Sequence, residues 1–239
     1  MAENDDSGVR VLDVLEPAQD LLPEEIAADP LLTRLGQVRS NLDRERAEAP
    51  RRVSQLLSLP ADLWQEELRR ETRYQTWGVC ELLLGASADA AEDPTESDRL
   101  AALTLAAADR LDPTRHAPAL VEDLKARAWA AAGDARRRLG DLTAAEQALR
   151  AAAACLVQGT GDLLVEARLL EFEASLRREQ GRTGEAAALL KMAAARYRES
   201  GEEELRARTL AEREAMLRQE GSSQAPRSPL GSISWRGQQ

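Results

Sequence analysis

Lys125-Ala-Arg-Ala-Trp129 and Glu166-Ala-Arg-Leu-Leu170 open two segments that repeat each other at a spacing of 41 residues. The same offset puts Gly140 on Gly181, Ala145 on Ala186, Leu149 on Leu190 and Ala152 on Ala193. Each segment reads as two amphipathic helices joined by a glycine-centred turn. Self-similarity at a period of this size, with two helices to the unit, marks a solenoid in which each unit buries its apolar face against a neighbour. The expected fold class is all-α.

In the central copy a helix is predicted from Pro118 to Leu139, with Leu120, Leu124, Ala128, Trp129 and Ala132 as its buried stripe. Thr143, with Glu146 three residues later, reads as a capping box at the start of the second helix. The next unit places helices at about 162–180 and 183–199. Upstream, 98–111 carries Leu100, Leu103, Ala107 and Leu111 at helical spacing. Setting Ala101, Leu105 and Ala108 over Ala145, Leu149 and Ala152 takes an offset of 44, so the repeat extends backwards through a longer connection. Residues 85–97, with Gly85 and Pro94 among acidic and small side chains, read as that loop. Asp62 to Leu84 supplies the preceding helical stretch, with Thr72 placed to cap a helix near Arg73 unless the helices run on.

Further upstream, Leu32, Leu35, Val38 and Leu42 predict one amphipathic helix from Leu31 to Ala49, and Pro50 opens a separate short element. Downstream, Ala215 and Leu217 match Ala174 and Leu176 at 41, a third first helix with no second helix after it. The organisation expected is an arm at 1–30, a helical repeat domain at 31–220 and a tail at 221–239. The hairpins fall at about 62–111, 118–157 and 162–199, and the half unit at 202–220.

Formal net charge is -10, and the arm alone carries nine carboxylates against Arg10. The rest of the chain is therefore close to neutral and lacks the basic excess with which nucleic-acid binders neutralise phosphates. The arm's acidity, its prolines and its small apolar clusters read as a disordered solubilising segment or a short docking segment. The Ser-, Pro- and Gly-rich tail reads as disordered, with Trp235 as its one aromatic. The amino terminus has no basic-then-apolar leader and no apolar run approaches the ~20 residues of a membrane span, so a cytoplasmic protein is expected. Cys80 and Cys155 have no neighbouring ligand pattern and read as buried reduced thiols.

The spacing Trp129, Gly133, Gly140, Ala145, Leu149, Ala152 resembles the tetratricopeptide repeat. The departures are a period of 41 rather than about 34, Arg136 where an aromatic is usual, and no proline closing the unit. Trp77-Gly-Val-Cys-Glu-Leu-Leu-Leu84 and Asp109-Arg-Leu-Asp-Pro113 also resemble uncharacterised bacterial members of that group. The resemblance implies a right-handed α-solenoid of antiparallel helical hairpins whose first helices line a concave groove. It places Arg127, Asp134, Arg137 and Arg138 there, followed by Arg168, Glu171 and Arg178 of the next unit.

No nucleophile with its base, metal set or phosphate-binding loop is legible, and His116, the one histidine, lies in a proline-flanked connection and reads as a turn or helix-start residue. No enzyme activity, cofactor or metal is therefore expected. The informative constellation is basic: Arg127/Arg168, Arg136/Arg177/Arg218 and Arg137/Arg178 recur in register. Guanidinium forks at that spacing suit a carboxylate-rich extended peptide, supplied by a partner or by the arm itself, whereas neighbouring glutamates offer the alternative of a solvated, salt-laced face. The expectation is a protein-protein interaction scaffold, with a sensor or adaptor subunit of a bacterial regulatory system as the alternative. The half unit at 202–220 offers a surface for self-association.

Overall fold

The computed structural model describes residues 30–90 and 92–224; residues 1–29 of the arm and 225–239 of the tail, with Trp235, lie outside them, and the last helix, expected to end at 220, runs on to Gln224. Among the described residues the structure is helical, without a strand: α1 (Pro30–Leu57), α2 (Trp64–Arg70), α3 (Trp77–Asp89), α4 (Pro94–Ala108), α5 (Pro118–Arg138), α6 (Leu142–Gln158), α7 (Leu163–Glu179), α8 (Thr183–Glu199) and α9 (Glu203–Gln224). The chain divides into two compact units, residues 1–44 and 45–239. The described part of the first is the opening of α1, where Leu32, Leu35 and Val38 are exposed.

In the second unit, α3 to α9 each pack on their sequence neighbours, and α5 packs in addition on α3 and α7. Three apolar clusters follow one another along the chain. The first joins Leu56, Leu68, Leu83, Leu103 and Leu124; the second joins Ala145, Leu149, Leu169 and Leu176; the third joins Ala174, Ala186, Leu190 and Met216. The small residues act as their positions in the sequence require. A Cβ on Gly133 would lie 2.8 Å from the Leu149 side chain, so glycine is what lets α5 and α6 approach.

The turns are set by glycine in the left-handed region. Gly140, Gly181 and Gly201 have φ of 84°, 74° and 80°. At each, a pair of backbone bonds closes the helix end: Asp141 N–H to Arg136 O at 3.0 Å, Arg182 N–H to Arg177 O at 2.8 Å and Glu202 N–H to Tyr197 O at 2.8 Å form the outer bonds. These are Schellman ends, which satisfy carbonyls the helix would otherwise leave open.

Several local readings are corrected. The cap of α6 is Asp141, whose Oδ1 accepts from Ala144 N at 2.9 Å, and not Thr143. The helix begins at Leu142, ahead of Thr143, and Glu146 turns to Arg150 and Arg177 instead. Residues 85–97 are mostly helix: α3 continues through Gly85 to Asp89, and Asp93 caps α4, accepting from Thr95 N and Glu96 N with Pro94 at the first position. Pro50 lies inside α1 and does not start a new helix. Leu120 is 47% exposed and so stands off the buried stripe.

The start of α3 is held from a distance. Thr76 makes no side-chain cap bond, and the buried Glu45 supplies the acceptor, taking Trp77 N–H at 2.8 Å. Arg115 at 3.1 Å and His116 Nε2 at 3.6 Å face the same carboxylate, and the His116 ring stacks on Trp77 at 5.8 Å. His116 is therefore a buried member of a polar knot and not simply a turn residue. Beside it Gly78 sits against the α1 backbone, where an added Cβ would lie 2.5 Å from Glu45 O. Backbone cannot yield as a side-chain tip can. Gly78→Ala is expected to lower stability by about 1–3 kcal/mol. Gly184→Ala, where a Cβ meets nothing within 4 Å, should leave it unchanged or slightly raised in the same thermal or urea titration.

Candidate binding groove

A concavity of the second unit, about 670 Å³, is lined by residues of α3, α5, α7, α8 and α9. Its charged rim holds Arg127, Arg168 and Arg208, with Glu81 and Asp162, and its apolar lining includes Leu84, Ala131, Leu164, Phe172 and Leu205. Arg127 and Arg168 recur at 41, but Arg208 follows at 40. The spacing of 40 is the structural register of α9. It pairs Gly161 with Gly201, both at positive φ, and it pairs the buried Leu169 and Leu176 with the buried Thr209 and Met216. The expected 41 register instead matched the buried Ala174 and Leu176 to Ala215 and Leu217, both exposed. Arg208 is thus the third member of the Arg127/Arg168 series, legible only through the glycine spacing.

No family model, curated protein or solved structure matches the chain. Among the described residues no group of His, Cys, Asp and Glu is placed to hold a metal ion, and no helix is long and apolar enough to cross a membrane.

The arginines divide by what they touch. Arg136 reaches Asp98 on α4 at 3.0 Å and stands over the Trp129 ring at 6.0 Å, while Arg177 reaches Glu146 on α6 at 3.1 Å. Both tie a first helix to the second helix before it. Arg137 pairs with Asp134 at 2.8 Å and with Glu179 on α7, and Arg178 pairs with Glu212 on α9 at 3.2 Å. Arg138 takes the other Asp134 oxygen at 3.1 Å. Asp134, Arg137, Arg138 and Arg178 are therefore joined in ion pairs along α5, α7 and α9, and none of them lines the groove.

Arg127 is exposed, and its charge acts on Glu81, which lines the same groove. Arg168 spends one N–H on Glu171 Oε2 at 2.9 Å and lies 4.8 Å above the Phe172 ring. Glu171 is buried behind it. It accepts from Thr209 Oγ1 at 2.7 Å and Tyr197 OH at 3.1 Å, and Arg208 stands 3.7 Å away. Burial, with the Glu171 charge, pushes the Tyr197 hydroxyl up to about 12, so it remains a donor. The carboxylate thereby fixes Arg168 and joins α7, α8 and α9.

At the other end of the groove Glu81 is engaged by Arg46 through two bonds of 2.8 Å. Cys80 beneath it is buried, and burial pushes its thiol up to about 12. Cys155 is half-buried rather than buried, and burial with a hydrogen bond to Glu122 takes its thiol to about 11. Both thiols are free and neither lies in the groove.

The Arg46 hydrogen bonds hold the Glu81 carboxyl below the usual glutamate range. A depressed carboxylate contributes stability that is present above its unfolded-state value and disappears as pH falls through the lower folded value. Glu81→Gln should therefore lower stability at pH 7 by about 1 kcal/mol or less, since the pair is partly exposed. The difference from wild type should close below the folded value in acid, as read by chemical denaturation across pH.

Proposed function

We propose that this chain is a tetratricopeptide-like, right-handed solenoid that binds an extended acidic segment of a partner protein along its first helices. The observation that carries the reading is the series Arg127, Arg168 and Arg208. Successive first helices α5, α7 and α9 each contribute one arginine to the same groove. Arg136, Arg137, Arg177 and Arg178 on these helices are drawn into intramolecular ion pairs, and the three groove arginines retain most of their donors.

Guanidinium groups with open N–H donors recognise carboxylates through paired, charge-assisted bonds. Their spacing along a groove suits a chain-like ligand better than a compact one. Packing of each helix on its sequence neighbours, with α5 also touching α3 and α7, supports the repeat array that the 41-residue spacing implies.

A fluorescent peptide of alternating Asp and small residues, titrated with the full chain, tests the reading. The double change Arg127→Glu and Arg168→Glu should weaken binding by about tenfold to a hundredfold, the effect of losing charge-assisted hydrogen bonds. Arg150→Glu, on an arginine that does not line the groove, should leave binding intact. Equal binding by the double variant and the wild-type chain would refute the groove.

A further inference from the structure

The groove's arginines are each accompanied by apolar surface one helical turn away. On α7 Leu164 precedes Arg168 by four residues, and on α9 Leu205 precedes Arg208 by three. Residues at these separations are neighbours on a helix face, about 5–6 Å apart at Cβ. All four line the same concavity, and Leu164 is 40% exposed. On α5 Arg127 has Ala130 and Ala131 at the corresponding distance in the other direction.

Leu164 and Leu205 offer apolar contact area on the groove beside the arginines, and an arginine fixed over a phenyl ring is a directional donor. Glu171 holds Arg168 in that position while leaving its other N–H groups uncommitted. The alternation of arginine and apolar surface therefore describes a two-part anchor.

We propose that the partner segment carries an Asp or Glu and a large aliphatic or aromatic residue two positions apart. In an extended chain that spacing puts both side chains on one face, about 6.5–7 Å apart, within an ångström or two of the ~5–6 Å between neighbouring arginine and leucine positions on α7 and α9, a gap the long arginine side chain spans. The acid pairs with the guanidinium and the apolar side chain covers Leu164 or Leu205 beside Phe172. This inference rests on the groove reading and sharpens it from acidic peptides in general to alternating acidic and apolar ones.

Selection of a random displayed peptide library on the full-length chain, with the Arg127→Glu/Arg168→Glu chain as the counter-target, tests it. The expected winners hold an acid and a Leu, Ile, Met or Phe at positions i and i+2. Replacing that apolar residue by Ser in a synthetic winner should weaken binding by about tenfold or more. Leu164→Ser in the protein should give a similar loss, and the two changes together should cost less than the product of the separate losses. The peptide-side change leaves the protein untouched, so the comparison holds however the Leu164 variant behaves. Acidic winners with no apolar preference would overturn this inference and leave the groove reading standing. No enrichment over the counter-target would overturn both.

Discussion

The close approach of α5 to α6 is the constraint on which the rest of the second unit depends. Leu149 lies where a side chain at Gly133 would have to be, and Ala145 is fully buried beside it. In the next pair the same contact is made by Ala174 with Ala186 and Leu190. Helices this close leave little room for large side chains between them, so bulk moves to the contacts between successive pairs. There Trp129, Leu169, Leu176 and Phe172 gather in one cluster. Interior packing tolerates few voids, and small residues at one contact therefore require large ones at the next.

That division also explains the charges. With the apolar faces committed to pairing, the remaining faces of α5, α7 and α9 are rich in arginine and carboxylates. Arg137 and Arg178 each reach forward to a glutamate on the following first helix, while Arg136 and Arg177 reach back to the preceding second helix. Partly exposed ion pairs contribute little individually. Here they engage Arg136, Arg137, Arg177 and Arg178, whereas Arg127, Arg168 and Arg208 line the groove.

The helices of the central copies were readable because small residues, turn glycines and apolar stripes agreed at one offset. What escaped was decided by competition among neighbouring groups. Asp141 and Thr143 are both capping residues, and the Schellman end at Gly140, which uses Asp141 N–H, brings the next helix in early enough for aspartate to cap it. The helical continuation through Gly85 was hidden because Gly85 and Ser87 suggest a loop, although the alanines beside them favour helix and the buried Ser87 is tied to Ser97 on the next helix. The tetratricopeptide resemblance implied groove positions for Arg127 and Arg168 but not for Arg208. One fewer residue separates Gly161 from Gly201 than separates Gly140 from Gly181, and a shift of one rotates a helix face by about 100°. The roles of Glu45 and His116 had no sequence signal, since they are brought together with Trp77 only by tertiary packing.

The packing of α3 to α9 on their sequence neighbours bears on how the chain reaches its native state. Contacts between segments close in sequence need only short loops to close, so little chain entropy is lost before the first apolar surface is covered. Among small two-state domains, those rich in such local contacts fold in microseconds to milliseconds. For this chain that means a helix pair can form and begin to shield its leucines while later residues are still being synthesised. Glu171 is an exception to that order. Its carboxylate is buried by Tyr197 and Thr209, which arrive 26 and 38 residues later, so until α9 docks a charge stays open to water at the growing edge.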